Sequence, residues 1–409
     1  MDLGRLRYLS VGSVLAVSMM LAATVACAAG RYDEGASDTE IRIGNTNPYS
    51  GPASAYGAIG KTLDAYFRKV NDEGGINGRR LAFISYDDGY APPKTRELVR
   101  KLVEHDKVLL IFQTLGTPSN AAIQGYLNRL GVPQLFVSTG ASRWGDPKRY
   151  PWTMGYHPDY RTEAIVYARH ILATVKDARI AVLMQNDDYG RDYLDGLKAG
   201  LGKDAGRIVA VATYEVADPT VDSQIIQLKA AGANVLLNVS TPKFAAQAIR
   251  KVADLEWKPA HYLNTISSWV ATLRQAGVAN AQGILTAQYG KDPTDPQWAT
   301  APDVVEWQAF MHKYLPNGDP ADFGHAYGYA VAALMTVVLR NAGDDLTRAN
   351  VMKQAASLKD VELPMLLPGI KANTSATDFY PLQSLRMARF EGETWRLFGD
   401  LISADPADR

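Results

Sequence analysis

The chain has 409 residues, 47% of them apolar and 21% charged, and its 43 basic residues balance its 43 acidic ones. That length exceeds one ordinary core and suits two lobes of roughly 150–200 residues each; the composition is globular rather than disordered. The charge balance argues against a nucleic-acid partner, because phosphate binding needs a basic face.

Residues 1–28 read as a signal peptide. Arg5 and Arg7 give a positive start, and the run from Tyr8 to Gly30 is uncharged and ends in Ala26-Cys27-Ala28-Ala29, the three-part layout of a secretory leader. A permanent anchor is the competing reading, since the run is about long enough to span a bilayer. Cys27 is the sole cysteine. It sits where a lipoprotein leader places its lipidated residue, although Thr24-Val25-Ala26 fits that pattern imperfectly; cleavage after Ala28 is the alternative. Either way the folded part lacks a thiol, which excludes disulfides, thiolate metal sites and cysteine nucleophiles.

Residues 31–40 are polar and are expected to form a short flexible leader, past which the pattern alternates. A strand is predicted over 41–45, followed by a helix with Ile59, Leu63, Phe67 and Val70 on one face, stopped by Gly74-Gly75. Strands are predicted over 81–86, 108–112 and 133–137, with helices over 93–105 and around 122–130. The rhythm then recurs. Strands over 180–184, 208–214, 235–239, 262–266 and 284–287 alternate with helices carrying apolar faces at Ile165–Val175, Tyr193–Leu197, Val221–Leu228 and Phe244–Leu255. Apolar strands alternating with amphipathic helices imply parallel sheets covered on both faces, and here two such sheets follow one another. The change of lobe is placed near 152–158. Helices are predicted over 303–314, 324–340 and 347–358, and a β-hairpin over 385–397.

In open α/β sheets, ligands sit beyond the carboxyl ends of the strands. Two strand-end loops are rich in small polar residues. The first, Thr114-Leu115-Gly116-Thr117-Pro118-Ser119-Asn120, opens a helix, with Thr117 suited to the N-cap and Pro118 to the first turn. A helix N-terminus there attracts a carboxylate, although Thr117 could simply cap its own helix. The second, Ser138-Thr139-Gly140-Ala141-Ser142, lets backbone N–H groups approach a ligand closely, or is an ordinary turn. Aromatic residues at strand ends, Tyr56, Trp144, Tyr156, Tyr189 and Trp269, suit a mostly apolar pocket or a packing role. No dinucleotide, Walker A, zinc-protease or nucleophile-elbow motif occurs, and the six histidines lack metal-ligand spacing. Asp87-Asp88 and Asp187-Asp188 read as turn and cap residues, because adjacent side chains do not face one another. Neither catalysis, a cofactor nor a metal is expected.

The segments Ser50-Gly51-Pro52 with Tyr56-Gly57, Asn71-Asp72-Glu73-Gly74-Gly75-Ile76-Asn77-Gly78, Tyr86-Asp87-Asp88, Asn186-Asp187-Asp188-Tyr189-Gly190 and Gly328-Tyr329-Ala330 occur in a telling order. Through them the chain resembles the periplasmic branched-chain amino-acid-binding proteins of the leucine/isoleucine/valine-binding type, the solute-binding components of ABC importers. The resemblance implies an α/β, type I periplasmic binding protein fold: two Rossmann-like lobes with parallel sheets, joined by a three-strand hinge and closing on a ligand. It implies lobe 1 at 40–155 plus 290–363 and lobe 2 at 156–289 plus 364–405. It further implies that Thr117, Gly140 and Ser142 hold a ligand carboxylate, that Leu115 gives an apolar contact, that Tyr56 is the entry-loop tyrosine and that Tyr189 is the lobe-two tyrosine of the Tyr-Gly motif.

One departure bears on the ligand. Amino-acid binders of this type place an acid after the strand matching 262–265, whereas this chain reads Asn264-Thr265-Ile266-Ser267-Ser268, and Asn238-Val239-Ser240-Thr241 replaces a glycine- and tyrosine-rich segment. A buried ammonium without a counter-charge is costly. The expected ligand is therefore an aromatic or hydrophobic carboxylate, with Ser119, Trp144, Tyr156, Asn238, Ser240, Asn264 and Thr265 completing its site; a branched-chain amino acid is the alternative. The expected partners are that small molecule and an inner-membrane permease, and the expected state is a periplasmic monomer, lipid-anchored at Cys27 if lipidated. A ligand-sensing receptor is the alternative to transport.

Overall fold

A computed structural model describes residues 30–403; the signal peptide expected at 1–28, Cys27 included, lies outside the described residues. The chain opens with a short strand β1 (Arg31–Tyr32), then alternates β2 (Glu40–Asn47), α1 (Gly57–Asp72), β3 (Arg80–Asp87), α2 (Pro92–Glu104), β4 (Leu110–Phe112), α3 (Thr117–Leu130), β5 (Gln134–Val137) and β6 (Thr153–Gly155). These strands after β1 form one parallel sheet in the order β3-β2-β4-β5-β6. The predicted strands fall in this sheet, and β6 falls in the stretch assigned to the lobe change.

The second sheet takes up the alternation: α4 (Tyr160–Thr174), β7 (Ile180–Gln185), α5 (Asp188–Leu201), β8 (Ile208–Tyr214), α6 (Asp222–Ala230), β9 (Val235–Val239), α7 (Pro242–Asp254), β10 (Ala260–Leu263), α8 (Val270–Ala276) and β11 (Leu285–Gln288). The chain then supplies α9 (Pro302–Tyr314), α10 (Phe323–Ala342), β12 (Asp345–Leu346) and α11 (Arg348–Ala355). It returns with the hairpin β13 (Ser384–Glu391) and β14 (Thr394–Leu397), and ends in β15 (Ile402–Ser403). The second sheet runs β14-β13-β11-β10-β9-β7-β8, parallel from β8 to β11 and antiparallel where the hairpin joins. The chain passes between the two sheets at 156–159, at 289–301 and again before β13.

Two packing devices set the layers. Phe67 of α1 lies between Phe83 and Phe112 of the first sheet, at ring separations of 5.4 and 5.9 Å; burying such a ring is worth about 1.5–3 kcal/mol. Helix α10 packs on α1 through Gly328, where a Cβ would stand 2.8 Å from the Thr62 Cβ. The glycine of the Gly328-Tyr329-Ala330 segment therefore has a steric reason: it lets two helices touch.

Three local expectations differ from the structure. The stretch expected as a flexible leader is tied down, because Arg31 and Tyr32 pair in parallel with Asp345 and Leu346 and the Arg79 guanidinium donates to the Tyr32 hydroxyl at 2.8 Å. Thr117 is the first residue of α3, and Gly116 takes the N-cap at φ +94° without any side-chain cap. A threonine could not adopt that left-handed backbone at low cost, so the cap falls on the glycine. The predicted strand over 262–266 stops at Leu263 and turns into a short 3-10 helix, Thr265–Ser267, because Asn264, Ser267 and Ser268 bond locally instead of continuing the ladder: the Ser267 N–H donates to the Asn264 carbonyl at 3.1 Å, and the Ser268 N–H to the Thr265 carbonyl at 3.1 Å.

Candidate functional site

Residues just past the carboxyl ends of strands in both sheets line one cavity. From the first sheet come Tyr90 after β3, Leu115-Gly116-Thr117 after β4 and Ser138 after β5; from the second come Tyr189 after β7, Thr241 after β9, Thr265, Ile266 and Trp269 after β10, and Tyr289 after β11. Helices α1 and α10 add Ile59, Phe323 and Tyr327, with Tyr56 just before α1, and the crossing passage and α4 add His157 and Tyr160. The empty space is about 520 Å³, its open mouth included. This is where a ligand is expected in open α/β sheets.

The lining is aromatic and carries no Asp, Glu, Lys or Arg. Tyr56 meets Trp269 edge-on at 5.2 Å, Tyr160 meets Tyr189 at 5.1 Å, and His157 stacks on Tyr289 at 6.3 Å. Burial pushes the His157 imidazole down to about 4, against a weaker upward pull from the Pro158 carbonyl. It is therefore neutral at physiological pH, and the burial of Tyr160, Tyr189 and Tyr289 holds their hydroxyls above the usual phenol range. The cavity thus offers rings, hydroxyls and backbone groups, but no ionised side chain.

Its polar end is the loop before α3. Leu115 pairs with Ser138 as a parallel bridge, so the two loops run side by side. Thr117 Oγ1 lies 2.6 Å from Thr139 Oγ1, and Ser138 Oγ lies 3.3 Å from the Tyr327 hydroxyl. Gly116 must be glycine, since a Cβ there would come within 2.3 Å of the Tyr90 ring. A helix start without a side-chain cap, opening on a largely apolar space, is suited to a carboxylate.

Of the residues singled out in the sequence, Tyr56, Leu115, Gly116, Thr117, Ser138, Tyr189, Thr265 and Trp269 line the cavity. The others lie elsewhere. Ser119 is buried, accepting from Thr95 Oγ1 at 2.9 Å. Gly140 packs against the crossing passage, and a Cβ there would stand 2.8 Å from the Pro158 carbonyl oxygen. Ser142 turns its N–H and hydroxyl to Asp192 of α5, at 2.7 and 2.9 Å. The carboxylate it answers to is therefore the protein's own. Trp144 is packed inside with its ring beneath the Arg143 guanidinium, and Tyr156 is wedged between Phe136 and Tyr327. Asn238 and Ser240 hydrogen-bond to one another, and Asn264 stands one layer behind the wall, 2.7 Å from the Tyr189 hydroxyl.

Sequence reasoning missed Tyr90, Tyr160, Tyr289, Phe323 and Tyr327 as lining residues. It also missed Glu163, an acid in contact with this wall. Glu163 is fully buried on α4, accepting from the Thr265 N–H at 2.8 Å and the Tyr167 hydroxyl at 2.7 Å. Burial pushes its carboxyl up, and these hydrogen bonds pull it back down only in part. Its position at the fourth residue of α4, after a Pro158-Asp159 start, was the available signal. Asp187 and Asp87 serve as cap and turn residues, Asp187 accepting from the N–H groups of Tyr189 and Gly190, and Asp87 from those of Tyr49, Ser50 and Gly89.

Comparison with known proteins identifies the family and the fold. The model of the Periplasmic binding protein family matches residues 40–394. The Leu/Ile/Val-binding protein homolog 1 of Brucella suis is 27% identical over 339 residues, covering 80% of this chain and 86% of that one. Among solved structures, a branched chain amino acid ABC transporter protein from Thermus thermophilus with bound valine superposes with a TM-score of 0.81 at 15% identity, covering 90% of this chain and 97% of that chain. A solute binding protein from R. palustris in complex with 4-hydroxybenzoate gives a TM-score of 0.74 at 16% identity, covering 89% and 96%. The fold is that of a type I periplasmic binding protein.

Proposed function

This chain belongs to the Periplasmic binding protein family, and from its cavity we propose that it captures a small aromatic or hydrophobic carboxylic acid between two closing lobes, without chemistry on it, and delivers it to the permease of an ABC importer. The observation that carries this reading is the cavity itself: rings on all sides, an uncapped α3 start at one end, and no ionised side chain in the lining. A carboxylate is held by helix N–H groups and hydroxyls without a cation. An α-ammonium would need a counter-charge that the lining does not supply. The similarity of fold to a protein solved with 4-hydroxybenzoate supports the same class.

The lobes of the proposal are 40–155 with 290–363 and 156–289 with 364–405, in keeping with the two sheets. The ligand touches both only when they are together, so it stabilises the closed arrangement by its differential affinity. The leader at 1–28 directs the chain out of the cytoplasm, and among the described residues no helix is long and apolar enough to cross a membrane. A branched-chain amino acid is the second reading, favoured by Glu163 behind Thr265 and by the Thermus relative. Calorimetric titration with benzoate, leucine and valine decides between them. Binding of leucine or valine with no response to benzoate defeats the first reading.

A further inference from the structure

Resting on the proposed carboxylate site, we infer that the wall opposite α3 selects ligands carrying an un-ionised hydroxyl, and that Tyr189 is the residue that reads it. The argument follows the protons. The Asn264 side-chain amide faces the Tyr189 hydroxyl at one end, at 2.7 Å, and the carbonyl oxygens of Asn238 and Ser240 at the other, at 3.1 and 3.2 Å. Carbonyl oxygens only accept, so the amide nitrogen faces them and the amide oxygen faces Tyr189. An amide oxygen also only accepts, so the Tyr189 hydroxyl donates its single proton away from the cavity. Its oxygen is left able only to accept. Asn264 is a positioning residue that sets this polarity.

Two neighbours are committed the same way. The Thr265 hydroxyl donates to the Ala287 carbonyl at 2.5 Å, and the Tyr56 hydroxyl donates to the Ile266 carbonyl at 3.2 Å. All three residues line the cavity. Toward the ligand, these hydroxyls are therefore acceptors with no proton to give. A ligand that presents only an acceptor to this wall leaves lone pair against lone pair. A bare ring leaves buried acceptors unpaired, and an O–H satisfies one of them. The ligand class is thus an aromatic acid with its carboxylate at α3 and a phenolic hydroxyl at the Tyr189 end.

The test titrates the mature protein with benzoate, 3- and 4-hydroxybenzoate, their methyl ethers and leucine. The better hydroxy isomer is expected to bind about tenfold more tightly than benzoate, the worth of one hydrogen bond to an otherwise unpaired acceptor, and its methyl ether is expected to lose that gain. In Tyr189→Phe the ratio of hydroxybenzoate to benzoate affinity falls to within about threefold of unity, the remainder of a lost neutral bond. In Asn264→Ala, which frees the Tyr189 proton, the methyl ether gains relative to the hydroxy acid. Thermal unfolding reports whether each variant is folded, and the parent series stands without them. Benzoates that bind with no hydroxyl preference, or an ether as tight as its hydroxy acid, overturn this inference alone. Leucine binding with no response to any benzoate overturns the proposed ligand class and this inference with it.

Discussion

Asp192 joins the two lobes at a point outside the cavity, and if the lobes close on the ligand as proposed, replacing it with alanine is expected to change closure measurably. Its carboxylate accepts the N–H and hydroxyl of Ser142 at 2.7 and 2.9 Å, while Arg161 of its own lobe donates to it at 3.2 Å. Asp192 is only 7% exposed. Each hydrogen bond to a charged acceptor is worth about 1.5–3 kcal/mol net. Because the open form rehydrates both groups, the lower figure applies, and two bonds give about 3 kcal/mol, or about 150-fold in the ratio of closed to open protein. The Arg143–Asp188 pair at 3.0 Å remains, but both side chains are partly exposed, and such pairs contribute at most about 1 kcal/mol. Asp192→Ala is therefore expected to weaken ligand binding by about 10- to 150-fold, mainly through faster release, and to enlarge the ligand-free protein in small-angle scattering. Ser142→Ala, which removes one bond, should cost about tenfold at most. Arg161→Ala removes only the contact within the lobe and is the control. An Asp192→Ala protein with parental affinity and a parental scattering profile refutes the reasoning.

Further outcomes follow from other contacts. Thr117→Val keeps the shape and removes a hydroxyl at the α3 start, so carboxylate affinity should fall by about 3- to 10-fold in calorimetry; parental affinity would place the carboxylate elsewhere. Gly140→Ala puts a methyl 2.8 Å from the Pro158 carbonyl and the Tyr160 ring, and such overpacking costs about 1–3 kcal/mol; a lower melting temperature and weaker binding should appear together. Burial pushes His261 down to about 4 from its usual 6.5, so the native state resists a proton that the unfolded chain accepts. Its contribution to stability is complete above pH 6.5 and is lost as pH falls through about 4. Asp322, pushed up to about 6 mainly by burial, works in the opposite direction. The difference in melting temperature between parent and His261→Gln isolates the histidine and should shrink on acidification from pH 6.5 to 4.

The alternation of strands and helices was legible because it depends on local period, and β8 and β9 fall on the predicted spans, 208–214 and 235–239. The strand-end rule led to Leu115, Thr117, Tyr189 and Thr265, since their place past a strand is itself a sequence property. Tyr327 and Phe323 were hidden for a physical reason. Helix α10 is buried on nearly every side, so its apolar pattern does not tell which face meets the cleft. Ser142 misled because a serine that binds a ligand carboxylate and one that binds Asp192 across the cleft read alike; only the lobes' relative position separates them. Glu163 was passed over because the expected acid belonged after β10, whereas a residue 100 positions earlier occupies the space behind Thr265.

The route of the chain has a consequence for how the protein is made. Strand β11 pairs on one side with β10, its near neighbour in sequence, and on the other with β13, from Leu285↔Arg389 to Gln288↔Arg386. Between β11 and β13 the chain leaves to build helices over the other sheet. Neither half can thus be completed from a contiguous stretch. A chain emerging from its N-terminus holds an unfinished sheet edge at β11 until about a hundred further residues have followed, a long-range pairing that is slow and exposed to wrong partners. A chain cut before β13 leaves that edge open permanently, so the last strands act as the closing stitch of a half whose first strand was laid down some two hundred residues before.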